Sequence, residues 1–232
     1  MRIKKSSTKL LKITMPSSEP RLKRLALHSA ITLAMLGGSY GRSAYAASNC
    51  DPVAGPISCA SDAALSFAGI DGLQVTIDPN FLELATLEGN AFTLTNAGKT
   101  GSGLSFLDEH AMTISGADRA IKANNFGDGA LTITTTGVVT GQSGSGISAA
   151  NSDDGGTYLT IEASDSVTGN RDGIAARNSG TGALSIITSG AVEGKSFIGI
   201  GAFNSENGTS LTIEASDSVT GNVYGIRALN EG

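Results

Sequence analysis

The sequence is poor in the residues that usually fill a layered globular core or carry out catalysis. Its 232 residues include no Trp, two His, two Cys and five Pro, and aromatic residues make up only 5%. By contrast, there are 31 Gly, together with abundant Ser, Thr, Asn and Ala. This composition favours many short strands joined by tight turns, and it argues against long helices.

The first 46 residues have the three parts of a secretory signal peptide. A long cationic segment, with seven Lys and Arg between residues 4 and 24, precedes the apolar stretch "LALHSAITLAML" at residues 25–36. The small residues "AYA" follow at residues 44–46, which predicts cleavage between Ala46 and Ala47. A membrane anchor is the alternative, but twelve apolar residues fall short of the roughly 20 that span a bilayer.

Charge is distributed unevenly on either side of residue 46. Nine of the sixteen Lys and Arg precede residue 47, whereas twenty of the twenty-one Asp and Glu follow residue 46, so the predicted mature part has a formal charge of −13. An acidic surface repels phosphate backbones and anionic lipid headgroups. Nucleic acid and membrane surfaces are therefore poor candidate partners.

The two cysteines lie just after the predicted cleavage site. Cys50 and Cys59 enclose "DPVAGPIS", and an exported chain favours a disulfide between them that closes a small loop. A metal site is less favoured, because no His or further Cys lies nearby to complete four ligands. We expect residues 47–70 to form an N-terminal cap.

The second half of the chain repeats itself. The twelve residues "LTIEASDSVTGN" occur identically at residues 159–170 and 211–222, and they belong to a looser pattern that recurs four times between residues 129 and 232. Each copy has Leu-x-Ile, then Val eight residues after the Leu, then Gly-Ile, and Asn four residues after that Ile. The leading Leu residues are 28, 25 and 27 positions apart: Leu131, Leu159, Leu184 and Leu211.

This periodicity predicts a stack of β-coils. Apolar positions alternate within each repeat, which is typical of strands rather than of helical repeats. Each repeat provides three short strands with Gly, Asp, Asn and Ser at the corners, and stacking identical coils buries their inward side chains in columns. The sequence therefore predicts an all-β, parallel β-helix, with right-handed coils as is general for parallel crossovers.

Residues 71–128 carry a weaker form of the pattern. We expect shorter, irregular coils there, with "FTL" at residues 92–94 and "MTI" at residues 112–114 in the first-strand position and no second strand. "AIKANN" at residues 120–125 matches the third strand. The chain ends after a third strand, which predicts a stack truncated at its C-terminal end.

The most regular polar feature is an Asn at the same position of every coil. By parity with the apolar residues, these side chains point inward and are expected to form a hydrogen-bonded ladder rather than a ligand site. The ladder consists of Asn151, Asn178, Asn204 and Asn230. Corner aspartates (Asp153, Asp154, Asp165 and Asp217) raise the alternative of calcium, but turn closure is the favoured role because no EF-hand or "GGxGxD" spacing is present.

Little in the sequence indicates catalysis. His110 is the only His after the signal, beside Asp108 and Glu109, but no Ser or Cys lies in a recognisable nucleophile motif. "NGT" at residues 207–209 fits a glycosylation sequon, a short pattern that often occurs by chance. We therefore expect no enzyme activity, no catalytic residue, no metal and no cofactor.

The long cationic leader, "CDPVAGPISC", and coils such as "LTIEASDSVTGNRDGIAARNSG" together resemble the start of a type V autotransporter, in particular an adhesin-like passenger. The resemblance implies export by the Sec machinery, passage through an outer-membrane β-barrel translocator, and folding of the β-helix at the cell surface. It also implies a role in adhesion or contact with a host or neighbouring cell.

The chain departs from that family because no barrel-like segment follows the coils, so the resemblance extends to the N-terminal part of a passenger only. Without a barrel, the expected location is periplasmic; with one, it is the outer-membrane surface or the medium. Two alternatives remain open: a two-partner secretion exoprotein, which "DPNF" at residues 78–81 faintly suggests, and a β-helical carbohydrate-active lyase or hydrolase. An enzyme should show one face where the coils break pattern and carboxylates converge.

Overall fold

Buried and more exposed side chains alternate along most of the described strands, so one face of each of these strands lies against the core. A computed structural model describes residues 57–59, 64–79, 83–98, 103–152 and 155–232. The chain divides into a unit of Met1–Ala47 and a unit of Ser48–Gly232, and all the described residues belong to the second. The predicted signal peptide, its cleavage site and Cys50 lie outside the described residues.

The described residues contain twenty short strands and no helix. In chain order the strands are β1 (Ile57–Cys59), β2 (Leu65–Ile70), β3 (Gln74–Ile77), β4 (Glu83–Ala85), β5 (Phe92–Asn96), β6 (Leu104–Asp108), β7 (Thr113–Gly116), β8 (Ile121–Asn125), β9 (Leu131–Thr135), β10 (Val139–Gly141), β11 (Ile147–Asn151), β12 (Leu159–Ala163), β13 (Val167–Gly169), β14 (Ile174–Asn178), β15 (Leu184–Thr188), β16 (Val192–Gly194), β17 (Ile198–Asn204), β18 (Leu211–Ala215), β19 (Val219–Gly221) and β20 (Tyr224–Asn230).

The strands form three parallel sheets that run along the stack. Sheet A has the order β1-β3-β6-β9-β12-β15-β18, sheet B the order β2-β5-β8-β11-β14-β17-β20, and sheet C the order β4-β7-β10-β13-β16-β19. From β3 onward, successive strands of the chain lie in sheets A, C and B in turn, so each coil contributes one strand to each sheet. The first described coil contributes β1 to sheet A and β2 to sheet B. The predicted parallel β-helix is confirmed; the right-handed sense of its coils stays a prediction.

Like side chains lie above like side chains in the regular coils. Ile147, Ile174, Ile200 and Ile226 pair in register as a single column in sheet B. Leu131, Leu159, Leu184 and Leu211 form the corresponding column in sheet A. All of these are fully buried except Ile226 and Leu211, which belong to the last described coil and lack a strand above them within the described residues. The repeat therefore produces a continuous apolar core.

Three-stranded coils also continue upstream of residue 129, and here our sequence assignment was wrong. Phe92 pairs with Ile121 in sheet B, so "FTL" occupies the third-strand position. Ile114 pairs with Val139 in sheet C, so "MTI" occupies the second-strand position that we expected to be missing. The first-strand position belongs to β6, whose Leu104 pairs with Leu131. An apolar alternating triplet has the same appearance in any of the three sheets, and only its neighbours determine which sheet it joins.

Part of the segment predicted to be a cap joins the stack. Strand β1 pairs with β3 in sheet A, and β2 pairs with β5 in sheet B. The core of these first coils contains larger side chains than that of the later coils, and the rings of Phe92 and Phe106 make an edge-to-face contact with centroids 5.0 Å apart.

Candidate interaction surface

Six asparagines form one continuous ladder inside the corner between sheets B and A. Each side-chain Nδ2 donates to the Oδ1 of the Asn one coil further on, at 2.6 to 2.9 Å. The ladder runs through Asn96, Asn125, Asn151, Asn178, Asn204 and Asn230. The sequence analysis named the last four. Asn96 follows Phe92 and Leu94 at the same spacing, so the pattern could have identified it had "FTL" been placed in sheet B.

The amide of Asn178 in this ladder is also saturated by the local backbone. Besides its two neighbours in the ladder, Asn178 donates to the carbonyl oxygen of Gly182 at 3.0 Å and accepts from the Gly180 N–H at 3.3 Å. Two donors and two acceptor lone pairs are the full capacity of a carboxamide. Since Asn178 is 0% exposed as well, it has no free group to present to a ligand.

Asp108 is buried at the end of β6 and closes the turn that follows it. Its Oδ1 accepts from the backbone N–H groups of His110 at 3.0 Å and Met112 at 3.4 Å, and its Oδ2 accepts from the Thr135 hydroxyl at 3.2 Å. The side chains of Glu109 and His110 are exposed. Asp108 therefore contacts the backbone of His110, and the geometry is that of a turn.

The corner aspartates of the duplicated segment also close turns. The Oδ1 atoms of Asp165 and Asp217 accept from the N–H of the next residue, each at 2.6 Å. Asp153 and Asp154 lie outside the described residues. Within the part of the chain that the structure describes, no three His, Cys, Asp or Glu side chains cluster as a metal site would require.

One further carboxylate, which sequence reasoning missed, is buried at a corner between sheets C and B. Asp172 is 6% exposed, and its Oδ2 lies 3.4 Å from both the Ser145 hydroxyl and the Arg171 Nε. Its Oδ1 has no hydrogen-bond partner among the described residues. Asp172 occupies the position held by Ser145 one coil earlier and by Ile198 one coil later. It is therefore the one charged residue among three equivalent positions.

A shallow, uncharged depression of about 420 Å³ lies on sheet A. Gln74, Ser105 and Thr132 form its floor with several glycines, and Tyr158 lies at its edge. No carboxylate lines it, so it lacks the converging acidic groups of a glycoside hydrolase.

The outer faces of the three sheets differ in the sign of their charge. All Lys and Arg that lie in strands belong to sheet B: Lys122, Arg177 and Arg227. All Asp and Glu in the described strands belong to sheets A and C: Glu83, Glu162, Glu193 and Glu214 are exposed on the outer face, and Asp108 is buried. A chain that is acidic in total therefore has one sheet whose strands carry only positive charge.

Two outward columns of these sheets have a similar order of residue types. In sheet A, Glu162, Ile187 and Glu214 pair in register on successive coils, and Ile187 is 39% exposed. In sheet B, Arg177 pairs with Phe203 on the next coil, and its guanidinium lies 5.0 Å from the centre of the Phe203 ring. Arg227 lies one coil beyond Phe203, in the neighbouring column.

The chain matches no protein-family model, no curated protein and no solved structure. Among the described residues, no helix has the length and apolar character needed to cross a membrane. What this protein does must therefore be argued from the solenoid and its surface.

Proposed function

We propose that this chain is the N-terminal part of the exported passenger of a type V autotransporter, and that its solenoid serves in adhesion to a host or neighbouring cell. The observation that supports this most is the equivalence of successive coils, with strands in the same register from β9 to β20. A long face built of repeated positions suits multivalent contact, whereas a catalytic cleft requires coils that differ.

The N-terminal sequence supports the export step of this proposal. Its cationic segment, apolar stretch and "AYA" motif match what the Sec machinery recognises, and an outer-membrane translocator would be the second partner. Producing the full chain in a Gram-negative host tests this step. We expect the product to begin at Ala47 by mass spectrometry, and the variant Ala46→Asp to retain residues 1–46. A wild-type product that keeps its original N-terminus would contradict export.

Adhesion is tested separately on the purified product. Beads coated with it should attach to cultured cells more than beads coated with the same product after heat unfolding, because attachment depends on the folded faces. Acidic and neutral polysaccharides should remain uncleaved under the same conditions. Cleavage of a polysaccharide would instead support the alternative of a carbohydrate-active enzyme, and equal attachment by folded and unfolded product would contradict the adhesive role.

A further inference from the structure

We infer that sheet B of one molecule binds sheet A of a second copy of this chain. The inference rests on the outer faces alone and is independent of export, since purified protein either self-associates or does not. The argument begins with the positive face. Arg177 and Arg227 are exposed on strands separated by one intervening coil, and Phe203 lies on that coil between them. Neighbouring strands in a sheet are about 4.8 Å apart, so the two guanidinium-bearing strands are about 10 Å apart along the stack.

The negative face has the same spacing. Glu162 and Glu214 lie on β12 and β18, with exposed Ile187 on β15 between them. Both faces therefore present charge, apolar group and charge on three consecutive coils, in a single column on sheet A and in two neighbouring columns on sheet B. When the faces are opposed with Ile187 against the Phe203 ring, one carboxylate meets Arg177. Arg227 lies two residues, about 7 Å, along its strand from the Arg177–Phe203 column, so it adds positive charge beside the other carboxylate.

Neither face satisfies these charges within its own molecule. The ion pairs among the described residues are Arg119 with Asp118 and Arg171 with Asp172. Arg177 contacts Phe203 and donates to the Ser179 hydroxyl, but neither contact neutralises its charge. Opposite charges are instead segregated onto different sheets, which suppresses binding of like faces and favours contact between unlike faces.

The geometry also fixes the kind of assembly. A contact between two different faces is heterologous, so a pair of bound molecules still has one free face of each kind, and association continues beyond a dimer. Five stacked strands of five residues cover about 24 Å by about 17 Å. That area, about 400 Å² per partner, is half of the roughly 800 Å² that a standard stable interface buries on each side. An interface of this size predicts that the association between copies is weak and reversible.

Sedimentation velocity of the purified full chain tests the inference. We expect the average sedimentation coefficient to rise with protein concentration. The rise should disappear between about 0.01 M and about 1 M salt, as the Debye length falls from about 30 Å to about 3 Å. The double variants Arg177→Glu with Arg227→Glu, and Glu162→Arg with Glu214→Arg, should each associate at least about tenfold more weakly, because like charges then oppose one another.

Mixing the two charge-reversed variants is the decisive measurement. Each retains one native face, and its reversed face now matches the reversed face of the other, so an equimolar mixture should associate again. Glu83→Arg with Glu193→Arg changes the net charge by the same amount as the sheet A variant but lies on sheet C, and it should leave association unchanged. Circular dichroism of all variants checks that the coils remain folded, as expected for outward side chains.

Three results would overturn the inference: no association of the wild-type chain, no recovery in the mixture of folded variants, or an equal loss in the sheet C control. A different partner would also be evident. If the sheet B variant lost binding to an acidic polysaccharide such as polygalacturonate while self-association did not change, the positive face would belong to a polyanion and not to a second copy.

Discussion

The Nδ2 of Asn151 donates to the Oδ1 of Asn178 across 2.9 Å, and both side chains are almost completely buried. This bond is one link of the ladder that joins the corner of each coil to the corner of the next. Because a buried amide without partners costs free energy, the ladder penalises any coil that leaves its register. The ladder thus favours a single register between neighbouring coils, and it also contributes to stability.

Replacing Asn178 by Ala should lower the free energy of unfolding by about 1–3 kcal/mol, since it leaves the Asn151 donor and the Asn204 acceptor buried without their partner. Urea denaturation followed by circular dichroism measures this. Asn170→Ala is the matched control, because Asn170 is exposed at a corner and lies outside the ladder. Equal unfolding midpoints for the two variants would show that the ladder does not stabilise the fold.

The same Ile→Ala substitution should have very different effects on an inward-facing and an outward-facing isoleucine. Ile174 is 0% exposed and Ile187 is 39% exposed. Ile174→Ala should therefore cost about 2–5 kcal/mol of stability through the lost burial and the cavity, whereas Ile187→Ala should cost well under 1 kcal/mol. Thermal and urea unfolding test the difference, which should be absent if β14 does not pack as described.

A glycine pair tests the tight corner between sheets C and B. A Cβ at Gly169 would overlap the carbonyl oxygen of Asp172, whereas a Cβ at Gly201 would have its nearest neighbours at 3.8 to 4.0 Å. Gly169→Ala should thus destabilise the coil by at least about 1 kcal/mol, because backbone must shift. Gly201→Ala, on the open outer face, should be tolerated. Comparable stability of the two variants would contradict the close approach of backbone at this corner.

The turn after β6 gives a prediction that distinguishes the structural role of Asp108 from that of the exposed His110. Asp108→Ala removes the acceptor for two backbone N–H groups and the Thr135 hydroxyl, and it should lower stability by about 1–3 kcal/mol. His110→Ala, whose imidazole is exposed, should leave the unfolding midpoint almost unchanged. If His110→Ala proved as destabilising as Asp108→Ala, the turn assignment would be wrong.

The regular part of the fold could be predicted because its repeats are nearly identical. Leu131, Leu159, Leu184 and Leu211 mark the coils at almost constant steps, and period-two alternation excludes helices. The upstream coils were harder, since "FTL" and "MTI" fit any of the three sheets, and Ile114 follows Leu104 by ten residues, whereas Val follows Leu by eight in the later coils. In-register pairing, which determines each assignment, is a property of the folded stack.

The opposed charge patterns could not be predicted for a related reason. Glu162 and Glu214 are 52 residues apart in sequence, and Arg177 and Arg227 are 50 residues apart, so nothing local connects the members of either pair. The two members of each pair come close only when coils of 25 to 28 residues place their strands on the same sheet, with one coil between them. The Asn ladder was predictable because every coil repeats it; the charges occur on alternate coils only.

Strands β12 and β13 and strands β18 and β19 carry the same twelve residues, and the coil between them presents the same inward pattern to both. Removing that intermediate coil, residues 184–210, would bring Leu211 next to Leu159 and set each residue of one copy against its duplicate. The shortened chain would keep the in-register columns of the three sheets, would lose the contact between Arg177 and Phe203, and would be about 4.8 Å shorter along the stack. Insertion or deletion of whole coils in the gene is therefore a route by which the length of the solenoid changes while the repeat pattern that directs its folding is kept.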